Sequence, residues 1–297
     1  MISIQVPATS ANMGSGFDSL GIALSLYNTV NMEEWDSIFI ESTDNAPIPT
    51  DEHNLIYKTV KSVYDMCGKS LKGIHIQQTN NIPLARGLGS SSACIVSGIM
   101  GANKLLREPL STQDIIDMAA KLEGHPDNST PAILGGQVVS SMENNKVYYS
   151  KQVLNNDLSF VAIIPDFELK TSDARAALPT KVDIKDATYN LSRAALMALS
   201  LATGNYQNIR VSCSDRLHQP YRLPLISGAR EVIDYAYNLG AYGAYISGAG
   251  STLMSIIKSD DLLFIEKMEQ KIKAMNKENW KIVMLKPDNN GTVITEL

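Results

Sequence analysis

Residues 83 to 93, PLARGLGSSSA, place two glycines and three serines at the entrance of a stretch that reads as helix, although none of the five favours a helix interior. A helix start has N–H groups without intrahelical partners and carries partial positive charge. Glycines that allow close approach and serines that donate hydroxyls make such an entrance a phosphate cradle. Gly87 and Gly89 would free the backbone, Ser90, Ser91 and Ser92 would supply amides and hydroxyls, and Pro83 would fix the approach. A flexible linker before a small-residue helix is the plainer alternative, but the flexible residues are confined to the helix entrance. The segment lacks the Lys-Ser/Thr ending of a Walker loop, and no G-x-G pair here completes the dinucleotide pattern.

A second stretch, LEGHPDN at 122–128, gathers Glu123, His125, Asp127 and Asn128. Glu123 stands at a helix end beside Gly124, where one carboxylate can hold Mg²⁺ while waters and phosphate oxygens complete its shell; such a residue is also commonly just solvated. His125, Asp127 and Asn128 share one loop and can position a hydroxyl and its proton, although His-Pro-Asp-Asn reads equally well as a turn around Pro126. The four histidines, His53, His75, His125 and His218, show no ligand spacing, which disfavours a metal-dependent hydrolase.

Holding these groups takes a sizeable core, and 297 residues with 44% hydrophobic and 19% charged content supply one. Alternation at Ile2, Ile4 and Val6, and again at Leu20, Ile22, Leu24 and Leu26, predicts two half-buried strands joined by the loop ATSANMGSGFDS. Helical spacing predicts a helix over 54–67 that stops at Gly68, and a short strand at 74–76 precedes the helix of 90–106. Ser111 and Asp114 resemble a capping box for a helix ending near Gly124. Strands are expected at 136–142, 146–150, 158–164, 242–247, 252–257, 280–286 and 292–296, with helices near 186–202, 224–239 and 261–275. The asparagine-rich LNNDLS near 154–159 marks the expected junction between units 1–155 and 156–297.

Lys and Arg total 26 against 31 Asp and Glu, with no basic block, so nucleic acid is not an expected partner. Cys67, Cys94 and Cys213 form neither a metal pattern nor a disulfide framework, which suits a reducing, cytoplasmic setting. The first residues lack the basic start and apolar core of a secretory signal. Residues 236–257 carry no charge, but four glycines and three serines there read as strand-turn-strand rather than a membrane span.

Three stretches together carry a resemblance. PATSANMGSGFDSLG (7–21), PLARGLGSSSA (83–93) and SGAGSTLMSI (247–256) resemble, in order and separation, the motifs of the GHMP superfamily, whose members phosphorylate galactose, homoserine, mevalonate and phosphomevalonate. LEGHPDN (122–128), TSDAR (171–175) and QPYR (219–222) are most similar to the homoserine-phosphorylating members. The resemblance spans the chain. It implies an α+β fold of two domains, an N-terminal α/β domain with a left-handed crossover and a C-terminal ferredoxin-like domain, with the site between them. It implies ATP with Mg²⁺, the ATP held by Pro83, Leu84, Ala85, Arg86, Gly87, Leu88, Gly89, Ser90, Ser91, Ser92 and Ala93, and the metal held by Glu123 and the hydroxyl of Ser91 or Ser92. L-Homoserine is the implied acceptor, and its zwitterion asks for a carboxylate grip, an ammonium grip and a hydroxyl site. Arg175 and Arg222 fit the first as bidentate forks, Asp18 with Asn12 the second, and Asp127, Asn128 and His125 the third. Asp127 is also a candidate general base. Each arginine alone would pass for a surface residue, and the first motif for an Asx turn.

The third motif is expected to support the phosphate loop from the second domain. The chain departs from the family pattern at Ser251, where proline is common, and at Ser129-Thr130, which replace Val-Ala; both put loop conformations in question. Mevalonate, phosphomevalonate, shikimate or a sugar remain alternative acceptors, although a phosphate-bearing acceptor calls for more basic residues around the pocket, shikimate has no ammonium for Asp18 and a sugar needs no paired arginines. A metabolite-sensing relative without turnover is the alternative of another class, but it would be expected to lose Glu123, Ser91 or Ser92. A homodimer is among the assemblies the sequence leaves open.

Overall fold

In the computed structural model, which describes residues 1–297, Ile2, Ile4 and Val6 point from β1 (Ile2–Ala11) into the main core. Its antiparallel neighbour β2 (Leu20–Glu34) continues well past Leu26, because Val30 and Met32 keep the inward alternation. A register shift between Pro7 and Ala8 interrupts their pairing, where proline offers no N–H to the ladder. The length of β2 lets its other edge pair with β4 (Ile74–Asn80) and β5 (Gln137–Glu143). β6 (Lys146–Gln152) extends from β5, and β3 (Ile38–Ser42) lies parallel to β4, the two linked through α1 (Leu55–Met66). Against this sheet pack α2 (Ser90–Leu105), α3 (Thr112–Glu123) and α4 (Ser129–Leu134). The Ser111–Asp114 capping box forms, and Gly124 closes α3 at φ 91°.

The second sheet is antiparallel in the order β10 (Lys281–Leu285), β7 (Leu158–Ile164), β9 (Leu253–Lys258), β8 (Gly243–Ile246). With α9 (Ala229–Asn238) before β8 and α10 (Leu262–Ala274) before β10, this is the βαββαβ ferredoxin-like arrangement. One face, with Val161, Ile163 and Ile257, packs on Val232, Phe264 and Met268. The other, with Phe160, Ala162 and Ile256, joins the main core beside Met197 and Leu201 of α6 (Ile184–Thr203). Covered on both faces, β7 is buried throughout and reads as a continuous apolar run. The uncharged 236–257 segment holds the β8–β9 pair, and no helix is long and apolar enough to cross a membrane.

Several expectations are corrected. The expected unit 156–297 loses its last strand, β11 (Val293–Glu296), which returns to pair with β1 in the first sheet. The helix expected from 224 starts at Ala229, because Leu223–Leu225 form a 3₁₀ turn around Pro224 and Gly228 sits at φ 85°. The HPDN loop leads directly into α4, and three short helices, α5 (Thr171–Ala176), α7 (Ile209–Ser212) and α8 (Gln219–Arg222), occupy stretches to which the sequence assigns no element.

Candidate active site

The phosphate-loop motif, the LEGHPDN loop, α5, α8 and the third motif converge on one cleft of about 490 Å³. A wider groove of about 700 Å³ along α9 is lined by none of the expected site residues. At the cleft, Gly89 caps α2 at φ 73° without a side-chain cap, so the amide ends of the first turn remain for a ligand. A Cβ on Gly89 would stand 2.0 Å from Thr9 Oγ1, and one on Gly87 would stand 2.2 Å from the Ser247 carbonyl. The loop is thus clamped between the first and third motifs. Thr9 N–H donates to Leu88 O (3.1 Å), Ser247 Oγ to Gly87 O (2.6 Å) and Thr252 N–H to Arg86 O (3.0 Å). Ser251, one of the departures from the family pattern, donates its hydroxyl to Phe167 O at 2.9 Å, while the Ser129 and Thr130 hydroxyls are buried without partners.

The residues expected to hold ATP divide. Ala85, Gly87, Gly89, Ser90 and Ser91 line the cleft. Leu88 and Ala93 are core residues, and Leu84 is exposed outside it with half-buried Pro83. Arg86 turns away: Nε donates to Pro165 O (3.1 Å) and Nη2 to Asp166 O (3.0 Å), fastening the loop to the second sheet's first connection. Ser92 is buried, and its hydroxyl donates to Glu123 Oε1.

Glu123 lines the cleft, and its Oε2 is buried with no partner. Burial pushes the carboxyl up to about 7, with the charge of Asp127 adding, against the hydrogen bond from Ser92 and the charge of His125. An unpartnered carboxylate oxygen in a cleft also lined by Ser91 and the α2 entrance fits a divalent cation shared with phosphate oxygens. No group of three or more His, Cys, Asp or Glu is arranged to hold a metal ion, so most ligands of such a cation would come from water and phosphate. His125 Nδ1 lies 2.6 Å from Asp127 Oδ1. Burial opposes charge on this imidazole, but Asp127, with Glu123 and Asp18, holds its pKa above the ordinary value. Asn128 Oδ1 accepts from Thr9 Oγ1 at 2.7 Å, leaving its Nδ2 for a ligand.

The groups expected to grip a zwitterion face each other. Arg175 donates to both oxygens of Asp18, Nη1 to Oδ2 at 3.2 Å and Nη2 to Oδ1 at 2.9 Å. Asn12, at φ 68°, accepts from the Asp18 N–H (2.9 Å) and donates to Gly248 O (2.7 Å), so it positions Asp18 and the third motif rather than offering its amide to an ammonium. Arg222 is buried at the cleft wall. Its pKa lies below the ordinary value through burial and the neighbouring Arg175. Sequence reasoning passed over Thr9, Phe17, Lys170, Thr171 and His218. Phe17 lies under both guanidinium groups, 5.9 Å from Arg175 Cζ and 5.2 Å from Arg222 Cζ. Lys170 and Thr171 line the cleft at the start of α5, and the one available signal was that Thr171 opens the TSDAR motif and Lys170 directly precedes it.

The family model described as GHMP kinases N terminal domain matches residues 54–136, and that described as GHMP kinases C terminal matches 197–274. A solved mevalonate kinase shares the fold, with TM-score 0.70 at 18% identity over 97% of this chain and 99% of that one. Fold, loop and both domain matches therefore define the class as GHMP kinases. Within it, the homoserine kinase of Clostridium beijerinckii is 44% identical over 100% of this chain and 99% of its own length, and that of Caldicellulosiruptor bescii is 43% identical over 99% and 97%. A crystal structure of homoserine kinase from Cytophaga hutchinsonii superposes with TM-score 0.88 at 27% identity over 99% of this chain and 97% of that one. The chain belongs to the homoserine kinase family.

Proposed function

We propose that this protein transfers the γ-phosphate of ATP to the side-chain hydroxyl of L-homoserine, as a cytoplasmic enzyme of threonine biosynthesis. The observation that carries the reading is the Asp18–Arg175 pair with Arg222 beside it, all opening on the same cleft as the phosphate loop. A zwitterion brings its own carboxylate and ammonium and can replace each half of that ion pair, Arg175 and Arg222 taking the carboxylate and Asp18 the ammonium. An acceptor without an amine would leave Asp18 unpaired. The free cysteines Cys67, Cys94 and Cys213 suit a reducing compartment.

The chain's share of the chemistry is positioning and charge stabilisation. The α2 entrance, with Gly87, Gly89, Ser90 and Ser91, cradles the phosphates, and its amides supply donors where charge builds up in transfer. Glu123 and the Ser91 hydroxyl would hold Mg²⁺, which neutralises triphosphate charge when bound. Asn128 Nδ2 can donate to the acceptor hydroxyl oxygen, while Asp127, its Oδ1 engaged by His125, keeps Oδ2 to accept the hydroxyl proton. Product analysis by ³¹P NMR tests the reading: homoserine carrying one phosphate on its side-chain oxygen supports it, and phosphate on no amino-acid product rejects it.

A further inference from the structure

A buried guanidinium without a carboxylate partner needs other groups to hold its direction. Arg222 is 1% exposed, yet it bonds only to uncharged acceptors. Its Nε donates to Ala174 O (3.3 Å) and its Nη1 to Gly248 O (3.2 Å), while Nη1 also faces Nδ1 of His218 at 3.5 Å. His218 is fully buried, with Nε2 2.6 Å from Gly14 O. A carbonyl only accepts, so Nε2 bears the proton and Nδ1 presents a lone pair to Arg222. Burial, reinforced by the charge of Arg222, holds this imidazole neutral by lowering its pKa, against the opposing charge of Asp215. Phe17 stacks on the ring, with centroids 5.2 Å apart and planes 20° apart. His218 therefore touches the first-motif turn, the aromatic platform and the buried arginine together.

We propose that His218 is a positioning residue for acceptor recognition: it braces Arg222 against the Gly14–Phe17 turn, so that Arg222 Nη2, which bonds to no protein atom, stays available for the acceptor carboxylate. The inference rests on the homoserine reading above. A histidine that merely filled the space between the two sheets would affect folding, or both substrates together.

The test uses the full chain with His218→Gln and His218→Asn. Gln can still reach Gly14 O but vacates the Nδ1 position; Asn places its Oδ1 near Nδ1 and gives up Gly14. His218→Gln is expected to raise KM for homoserine about tenfold, the equivalent of about 1.4 kcal/mol, with kcat and KM for ATP within about twofold. His218→Asn is expected to recover most of that loss, to within about threefold of the parent. An unchanged homoserine KM in His218→Gln overturns the role, as does an equal rise for both substrates or a rise in both variants that simply follows Tm. If the unmodified chain does not phosphorylate homoserine at all, the function reading falls instead, so the two failures are distinguishable.

Discussion

Asp18→Asn separates recognition from stability. The paired side chains of Asp18 and Arg175 are 35% and 39% exposed, so the ion pair itself is worth at most about 1 kcal/mol. Tm is then expected to fall by no more than about 2–4 °C. Against the substrate ammonium the carboxylate is worth more, about 1.5–3 kcal/mol for a charge-assisted bond, or about 10- to 150-fold in kcat/KM. The freed Arg175 no longer has to leave Asp18 before meeting the substrate carboxylate, which offsets part of the loss and puts the expected net effect at about tenfold. The assay is ADP release with homoserine varied at saturating Mg²⁺-ATP, repeated with 4-hydroxybutanoate, the same acceptor without its amine. Asp18→Asn is expected to weaken homoserine and leave 4-hydroxybutanoate unchanged or improved, so the preference between them narrows. Equal losses for both acceptors would refute the assignment of Asp18 to the ammonium.

Three further perturbations address the loop and its surroundings. Gly87→Ala sets a Cβ 2.2 Å from the Ser247 carbonyl at φ 77° and is expected to raise KM for ATP at least about tenfold, the cost of that left-handed backbone alone being about 1–2 kcal/mol; Gly124→Ala, at φ 91° but with nothing within 4 Å, should leave KM for ATP unchanged, and equal KM effects would undo the clamp argument. Glu123→Gln keeps the volume and loses the charge, so kcat should drop by roughly two orders of magnitude and half-saturation by Mg²⁺ should rise; an unaltered Mg²⁺ dependence would remove Glu123 from the metal. Arg86→Ala is expected to lower Tm by about 2–8 °C through its lost bonds to Pro165 and Asp166 while KM for ATP stays within about threefold, and the reverse pattern would return its guanidinium to the phosphates.

Alternation and capping carry most of the fold's elements into view from sequence, because Ile2, Ile4 and Val6 each bury one face of a strand, and Ser111 and Asp114 satisfy each other within one turn. β3 escapes because it is an edge strand with Ile38 and Phe39 exposed, and α4, α5 and α8 are too short to show a helical period. The return of β11 to β1 pairs the two ends of the chain, which no local pattern records. The same holds within the site. The motifs bring the charged groups onto the page, but whether Ser91 or Ser92 faces the cleft depends on the azimuth of one helical residue, and the structure turns Ser92 inward to Glu123. That Asp18 and Arg175 answer each other is a contact made only by packing α5 against the first-motif turn, and His218, although four residues from Arg222, gains its Gly14 and Phe17 contacts in the same way.

The most direct measurement is ADP release by the purified chain from Mg²⁺-ATP with L-homoserine, mevalonate, shikimate and galactose at equal concentration. Turnover with homoserine, at least about a hundredfold above the other three in kcat/KM, is the expected result. Comparable or greater turnover with any of the others, or none with homoserine while ATP still binds, would contradict it.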